Sequence, residues 1–159
     1  MDTYSSENCA VVILAEGFDE VEAVGILTAL RAAGICVKSL GLTSGLIAGR
    51  YGVPLMPDYA LVDLSHKIDV STIDAVIVPG KNRGLARLET DPRVHRLLRR
   101  VTVQRGLIAT SDQGYRLLKR SLRENEVGRE GDNPALLLRA STQTVDAFAQ
   151  SIIRRLKRA

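Results

Sequence analysis

The chain has 159 residues and a formal net charge of +4, with 45% hydrophobic and 25% charged residues. This composition is typical of a soluble globular protein that buries one core. No apolar run approaches the roughly 20 residues that a membrane-spanning helix needs, and the polar N-terminus does not resemble a secretory signal. We therefore expect a single domain over residues 1–159, with a flexible segment at residues 1–8, in the cytoplasm and away from membranes.

Charge is divided unevenly along the chain. Residues 1–80 carry four Lys or Arg against ten Asp or Glu, whereas residues 81–159 carry 18 against eight. Such asymmetry indicates an anionic partner or self-association, and solvated basic helix faces are the simpler explanation. The basic residues are not interleaved with aromatic ones, which argues against nucleic acid as the partner. We expect a homo-oligomer, and the sequence leaves open a small anionic ligand as a further partner.

The chain opens as a strand–helix–strand unit. Residues 9–15 form a continuous apolar run, which is typical of a strand buried on both faces of a parallel sheet. Asp19 is the expected N-cap of a helix, with Glu22 three residues later, as in a capping box. Gly34 ends that helix before a second strand at residues 35–40. The residues predicted to face the core are Val21, Val24, Ile26, Leu27, Leu30 and Ala33.

Alternation of strands and helices continues to the C-terminus. After a short β-excursion with a turn at residues 50–52, the predicted strands are residues 74–79, 107–110 and 135–138. The predicted helices begin at Asp91-Pro92, at Gln113 and at a cap formed by Ser141 or Thr142. A polar loop is expected at residues 123–133. This order of elements predicts a three-layer α/β/α sandwich around a mostly parallel sheet.

An abrupt strand-to-helix turn at Ser111-Asp112-Gln113-Gly114 is the strongest candidate site. Such a turn lies at the carboxyl edge of the sheet, where α/β proteins bind ligands and often hold a nucleophile. Here the turn residue is Asp112, and Ser111 before it is a possible nucleophile without an evident base. If Glu22 reaches the same edge, two carboxylates would share a site suited to acid–base catalysis. Helix capping is the alternative role for Glu22.

A second candidate is the turn Gly80-Lys81-Asn82, which follows the strand at residues 74–79. It matches neither a phosphate-binding loop nor a dinucleotide fingerprint. Its backbone N–H groups either bind an anion or oxyanion beside Asp112 or belong to an ordinary loop.

The remaining chemically active side chains indicate neither a cofactor nor a metal, and we expect none. The spacing of His66 and His95 does not suggest a metal pair, and both are interpreted as surface residues. Cys9 and Cys36 lie in apolar, strand-like runs and are interpreted as small buried hydrophobic residues.

Three segments resemble the ThiJ/PfpI superfamily, which includes the Parkinson-associated deglycase and has a glutamine-amidotransferase-like, flavodoxin-like fold. They are VVILAEGFDEVEA at residues 11–23, DAVIVPGKN at 74–82 and GLIATSDQG at 106–114. The resemblance puts Glu22 at the position of the family's glutamate, which hydrogen-bonds a nucleophilic cysteine, and Asp112 at the position of that cysteine. Lys81 replaces the second glycine of a turn that helps to form the family's oxyanion hole.

The resemblance also implies that the family's chemistry is lost, because the segment that often brings a histidine is largely missing. The turns are similar to those of the C-terminal domain of large-subunit catalases, a non-catalytic relative. We therefore predict a catalytically inactive domain with a structural, chaperone-like or binding role. One alternative is a hydrolase or amidase-like enzyme that uses Asp112 with Glu22 or Ser111. A weaker alternative is an anion or nucleic-acid binder that uses the basic C-terminal half.

Overall fold

The computed structural model describes residues 7–64, 66–80, 83–121 and 136–158. Its main sheet has six strands in the order β5-β2-β1-β6-β7-β8, and every described pairing in it is parallel. The strands of this sheet are β1 (Cys9–Leu14), β2 (Val37–Gly41), β5 (Tyr59–Ala60), β6 (Ile73–Val78), β7 (Leu107–Ser111) and β8 (Leu136–Arg139). Two further short strands, β3 (Ile47–Ala48) and β4 (Pro54–Leu55), form an antiparallel hairpin.

Five α-helices in the described part of the chain cover the two faces of the main sheet. They are α1 (Glu20–Ala32), α2 (Arg83–Glu89), α3 (Pro92–Val103), α4 (Asp112–Ser121) and α5 (Val145–Arg158). Apolar residues of α1 and α5 pack on one face, and those of α2, α3 and α4 pack on the other. The arrangement confirms the predicted three-layer α/β/α sandwich with a flavodoxin-like, mostly parallel sheet. No described helix combines the length and apolar character needed to cross a membrane.

Helix α1 begins as predicted but turns a different face to the core. The side chain of Asp19 accepts a hydrogen bond from the N–H of Glu22 at 3.1 Å and so caps the helix. The prediction that Val21 and Val24 point inward is wrong, because they are 67% and 41% exposed. Both valines lie beside the buried stripe rather than in it. The core positions of α1 are Ala23, Ile26, Leu27 and Leu30.

The carboxylate of Glu20 is one of the contacts that attach the β3–β4 hairpin to the start of α1. Glu20 accepts hydrogen bonds from the backbone N–H groups of Tyr51 and Val53, at 3.0 and 3.1 Å to one oxygen. Burial raises the pKa of Glu20, but these backbone donors outweigh it and hold the pKa below its ordinary value. The hairpin itself confirms the predicted turn at residues 50–52.

Other departures from the sequence prediction concern short elements and caps. Helix α2 was not predicted, because its seven residues are too few to show a clear helical repeat. The last helix starts at Val145, and the hydroxyl of Thr144 accepts a hydrogen bond from the N–H of Ala147 at 3.1 Å. The predicted cap at Ser141 or Thr142 is therefore wrong by a few residues. The predicted loop at 123–133 and most of the predicted flexible segment at 1–8 fall outside the described residues.

The two cysteines are joined in a disulfide, which the sequence analysis did not predict. Cys9 begins β1 and Cys36 directly precedes β2, so that their Cα atoms lie 4.8 Å apart, within the ordinary range for such a bond. Both are only partly buried. The interpretation of these residues as free, buried hydrophobic side chains is wrong, because parallel pairing brings two strand ends together that the sequence separates by 27 residues.

Candidate functional site

Residues from four neighbouring strand ends meet at the carboxyl edge of the main sheet. Glu22 lies in the first turn of α1, the helix that follows β1. Gly80 lies just beyond β6, Ser111 ends β7 and Arg139 ends β8. These strands are consecutive in the sheet, so distant parts of the chain converge here. The carboxyl edge of a parallel sheet is the usual ligand-binding edge of such folds.

Glu22 is the central side chain of this cluster and is only 2% exposed. Its Oε2 accepts a hydrogen bond from the N–H of Gly80 at 3.0 Å. Its Oε1 lies 3.4 Å from Nη1 of Arg139, an ion-pair contact. Within the described part of the chain, however, Oε1 accepts no hydrogen bond. One carboxylate oxygen is thus fixed and the other keeps unused hydrogen-bonding capacity.

Burial raises the pKa of Glu22 above its ordinary value of 4.5, because an apolar environment disfavours the carboxylate anion. The nearby charge of Arg139 lowers the pKa and that of Asp19 raises it, while the Gly80 N–H lowers it. Burial prevails over these opposing contributions. The alternative that Glu22 merely caps its helix does not fit these contacts, since Asp19 provides the cap and Glu22 points to Gly80 and Arg139.

Arg139 is a site residue that the sequence analysis missed. Its side chain is only 14% exposed, and its Nε donates to the backbone oxygen of Gln143 at 3.1 Å. This second contact holds the guanidinium towards Glu22. The available signal was a lone arginine directly after the apolar run Leu136–Leu138, at a strand end that a parallel sheet places at the same edge.

Ser111 fixes the turn between β7 and α4. Its hydroxyl donates to the backbone oxygen of Gly80 at 2.9 Å and accepts from the N–H of Gly114 at 3.3 Å. Gly114 has no room for a side chain, because a Cβ there would collide with the hydroxyl of Thr110. Gly80 has a φ of 115°, a backbone conformation that favours glycine. These contacts join the predicted turns at Gly80 and Ser111 into one structure.

The other predicted site residues are placed as follows. Asp112 is the first residue of α4, next to Ser111, but its side chain is not among those described. Lys81 and Asn82 also fall outside the described residues. His66 is exposed, and Nε2 of His95 lies 2.7 Å from the backbone oxygen of Glu89, so neither histidine belongs to the Glu22 cluster. Among the described residues, no group of His, Cys, Asp and Glu is arranged to hold a metal.

Known DJ-1 proteins are similar to this chain in sequence or fold. Parkinson disease protein 7 homolog from Danio rerio is 36% identical over 101 residues, which is 63% of this chain and 52% of that protein. The match therefore spans about half the length of that curated relative. Drosophila melanogaster DJ-1beta superposes with a TM-score of 0.78 at 25% identity, covering 94% of this chain and 90% of that one. Schizosaccharomyces pombe DJ-1 has the same fold, with a TM-score of 0.75 at 16% identity over 93% and 91% of the two chains.

These findings contradict the prediction of a catalytically inactive structural domain. The relatives are DJ-1-type proteins, and nothing in the similarity indicates an inactive structural domain. The model of the DJ-1/PfpI family matches residues 8–122, a stretch that includes Glu22, Gly80 and Ser111. The chain therefore belongs to the DJ-1/PfpI family.

Proposed function

We propose that this protein is an acid–base catalyst acting on small carbonyl compounds, with Glu22 as the group that donates and accepts the proton. The observation that carries the proposal is the state of the Glu22 carboxyl group. It is 2% exposed, one oxygen is held by the Gly80 N–H, and the other oxygen has no hydrogen bond from the described residues. This buried oxygen contacts Arg139 as an ion pair at 3.4 Å but accepts no hydrogen bond from it, so it keeps the capacity to bond a substrate.

Burial favours the protonated form of Glu22, which is the form that can donate a proton to a substrate oxygen. The fixed Oε2 sets the orientation of the carboxyl group, so that Oε1 is the oxygen left to exchange the proton. When Oε1 carries the proton, it donates to the substrate carbonyl oxygen as negative charge develops there. Arg139 then compensates the Glu22 carboxylate that remains after transfer, since Nη1 is already 3.4 Å away.

We assign the opposing base role to Asp112. Position one of the ten-residue helix α4 favours a negative charge, because the helix dipole stabilises an anion there. Ser111 fits a supporting role better than that of a nucleophile, because its hydroxyl proton is donated to Gly80.

Turnover of a panel of small aldehydes and esters by wild-type and variant proteins tests this proposal. Glu22→Gln keeps the size of the side chain but removes the exchangeable proton, so we expect a loss of about 100-fold or more in kcat. Glu16→Gln is the matched control, since Glu16 is an exposed carboxylate after the same strand, and it should leave kcat unchanged. Absence of turnover in the wild-type protein, or equal rates for both variants, would contradict the proposal.

We also propose that the protein self-associates through the start of α1 and the adjoining hairpin. Four large apolar side chains are exposed there: Val21 (67%), Val24 (41%), Tyr51 (68%) and Val53 (56%). Glu20 binds the backbone of both Tyr51 and Val53, so the two elements form one continuous surface. A second copy of the chain is the occupant that fits the predicted homo-oligomer.

Four other expectations from the sequence stay predictions. They are the single domain, the cytoplasmic location, the small anionic ligand at Gly80–Asn82 and the likeness to the catalase C-terminal domain.

A further inference from the structure

A large groove lies away from the Glu22 cluster and shares no lining residue with it. Its volume is about 1710 Å³, and it runs along β1 and β2 on the sheet face that carries α3. On this face the described helices pack mainly over β6 and β7, and residues of the short turns at 61–63 and 70–72 line the groove. The described helices therefore leave this part of the sheet incompletely covered.

Lys38 is an unusual residue for the position that it occupies in this groove. It pairs in register with Val11, a core residue on the same face, and its own side chain is half-buried in the groove lining. Strands of a parallel sheet normally present apolar residues on both faces. Within the described ranges Lys38 makes no ion pair or hydrogen bond. A cation that is partly desolvated without a partner is unfavourable, and an anionic ligand would remove that penalty.

Helix α3 adds a row of cations along one side of the groove. Arg93, Arg96 and Arg100 all line it, and the spacing of three to four residues puts them on one helix face. Arg93 is held by Asp91 at 2.8 Å and by the backbone oxygen of Leu42 at 3.2 Å. Arg96 has no such contact in the described part of the protein and is exposed.

The charge of the groove is strongly one-sided. Among the described lining residues, five are cationic and two, Glu7 and Asp69, are anionic. Among the cations, Lys67 is already paired with Asp63 at 3.2 Å. Lys38 and Arg96 are therefore the cations best able to bind a ligand.

Beneath these charges the groove is apolar. The apolar lining residues include Val11, Leu61, Leu64, Ile68, Ile73 and Leu97. A volume above the roughly 300–1,000 Å³ of ordinary small-molecule pockets leaves room for an extended ligand. An apolar floor with unpaired cations matches a molecule that has a long apolar body and one anionic end.

We propose that this groove binds an amphipathic organic anion, a carboxylate carried on an alkyl chain. The chain lies on the apolar floor, and Lys38 and Arg96 contact the carboxylate. The proposal is independent of the catalytic role of Glu22, because the two sites have no residue in common.

Calorimetric titration of dodecanoate into the full-length, oxidised protein tests this binding site. We expect saturable binding with one site per chain, and much weaker binding of dodecanol, which lacks the charge, and of butyrate, which lacks the chain. Lys38→Met keeps the apolar stem and removes the charge, so it should weaken dodecanoate binding about tenfold, the value expected for one charge-assisted contact. Arg96→Met should act in the same direction.

Lys157→Met is the matched control, because Lys157 is an exposed cation on α5, across the sheet from the groove. It should leave the affinity unchanged. Non-saturable binding, equal binding of dodecanoate and dodecanol, or an unchanged affinity in Lys38→Met would each overturn the proposal. Thermal unfolding of each variant without ligand establishes that it is folded, and Arg96→Met provides a second surface variant should Lys38→Met unfold.

Discussion

At the start of α1, Glu22 takes part in three contacts, of which only the one with Asp19 is visible in the sequence. The spacing from Asp19 predicted the cap, and the N–H of Glu22 does bond to that aspartate. The side chain, however, turns to Gly80 and Arg139, which are 58 and 117 positions away in the chain. Local spacing carries no information about partners so distant. For the same reason Arg139 was not recognised, although a charge at the end of an apolar strand was visible.

The raised pKa of Glu22 makes the stability of the fold depend on pH. A carboxyl group whose pKa is higher in the folded than in the unfolded state stabilises the fold fully below its unfolded value near 4.5. That contribution is lost as the pH rises through the folded pKa. We expect the free energy of unfolding of the wild-type protein to fall relative to that of Glu22→Gln as the pH is raised from 4.5. Urea denaturation of both proteins over this range measures the difference. If the free energy of unfolding of the wild-type protein rises relative to that of the variant with increasing pH, the pKa of Glu22 is not raised.

At the scale of elements, hydrophobic periodicity predicted the strands and the long helices well. In α3, for example, Val94, Leu97, Leu98 and Val101 are apolar residues at helical spacing, and all four are buried. Periodicity was less informative where a helix carries more apolar residues than its core face needs. Val21 and Val24 fit a helical repeat but lie outside the buried stripe, because the direction of the sheet decides which residues of α1 face it. The seven-residue helix α2 is too short to give a clear repeat.

The exposed valines of α1 give a test of self-association. If the surface of α1 and the β3–β4 hairpin is covered by a second copy, the protein should have twice the mass of a 17.3 kDa chain in light scattering. Val21→Asp would place a charge in that contact and should yield monomers. Val103→Asp is the control, because Val103 is 76% exposed at the end of α3 and should not affect the mass. A monomeric wild-type protein, or equal masses for both variants, would contradict the proposed interface.

At the scale of the whole molecule, the order of the strands creates the candidate site. Consecutive strands β1, β6, β7 and β8 bring Glu22, Gly80, Ser111 and Arg139 to one edge. The sequence predicted the fold class and that edge, since alternating elements imply a parallel sheet. It did not predict which strands are neighbours, and therefore missed the contacts of Glu22, the disulfide between Cys9 and Cys36, and the groove that Lys38 faces.

The basic residues that make the charge of the chain uneven lie in two different structural settings. Solvated helix faces account for much of the basic half, as with the exposed Arg154, Lys157 and Arg158 of α5. The row on α3 differs, since Arg93, Arg96 and Arg100 line an apolar groove together with Lys38 from the acidic half. A count along the sequence does not distinguish these two situations, because only the packing of α3 on the sheet decides which cations share a surface.

Direct titration of the Glu22 carboxyl group tests the central claim, that this residue is a protonatable group poised for catalysis. Carbon NMR of protein labelled at glutamate side chains, with Glu22→Gln used to assign the signal, follows that carboxyl group through its own pH range. We expect the titration midpoint of Glu22 to lie above 4.5 in the wild-type protein. In Arg139→Met the midpoint should move further upward, because the positive charge that favours the carboxylate is removed. A midpoint at or below 4.5 would show that Glu22 is an ordinary carboxylate paired with Arg139, and would contradict the acid–base role.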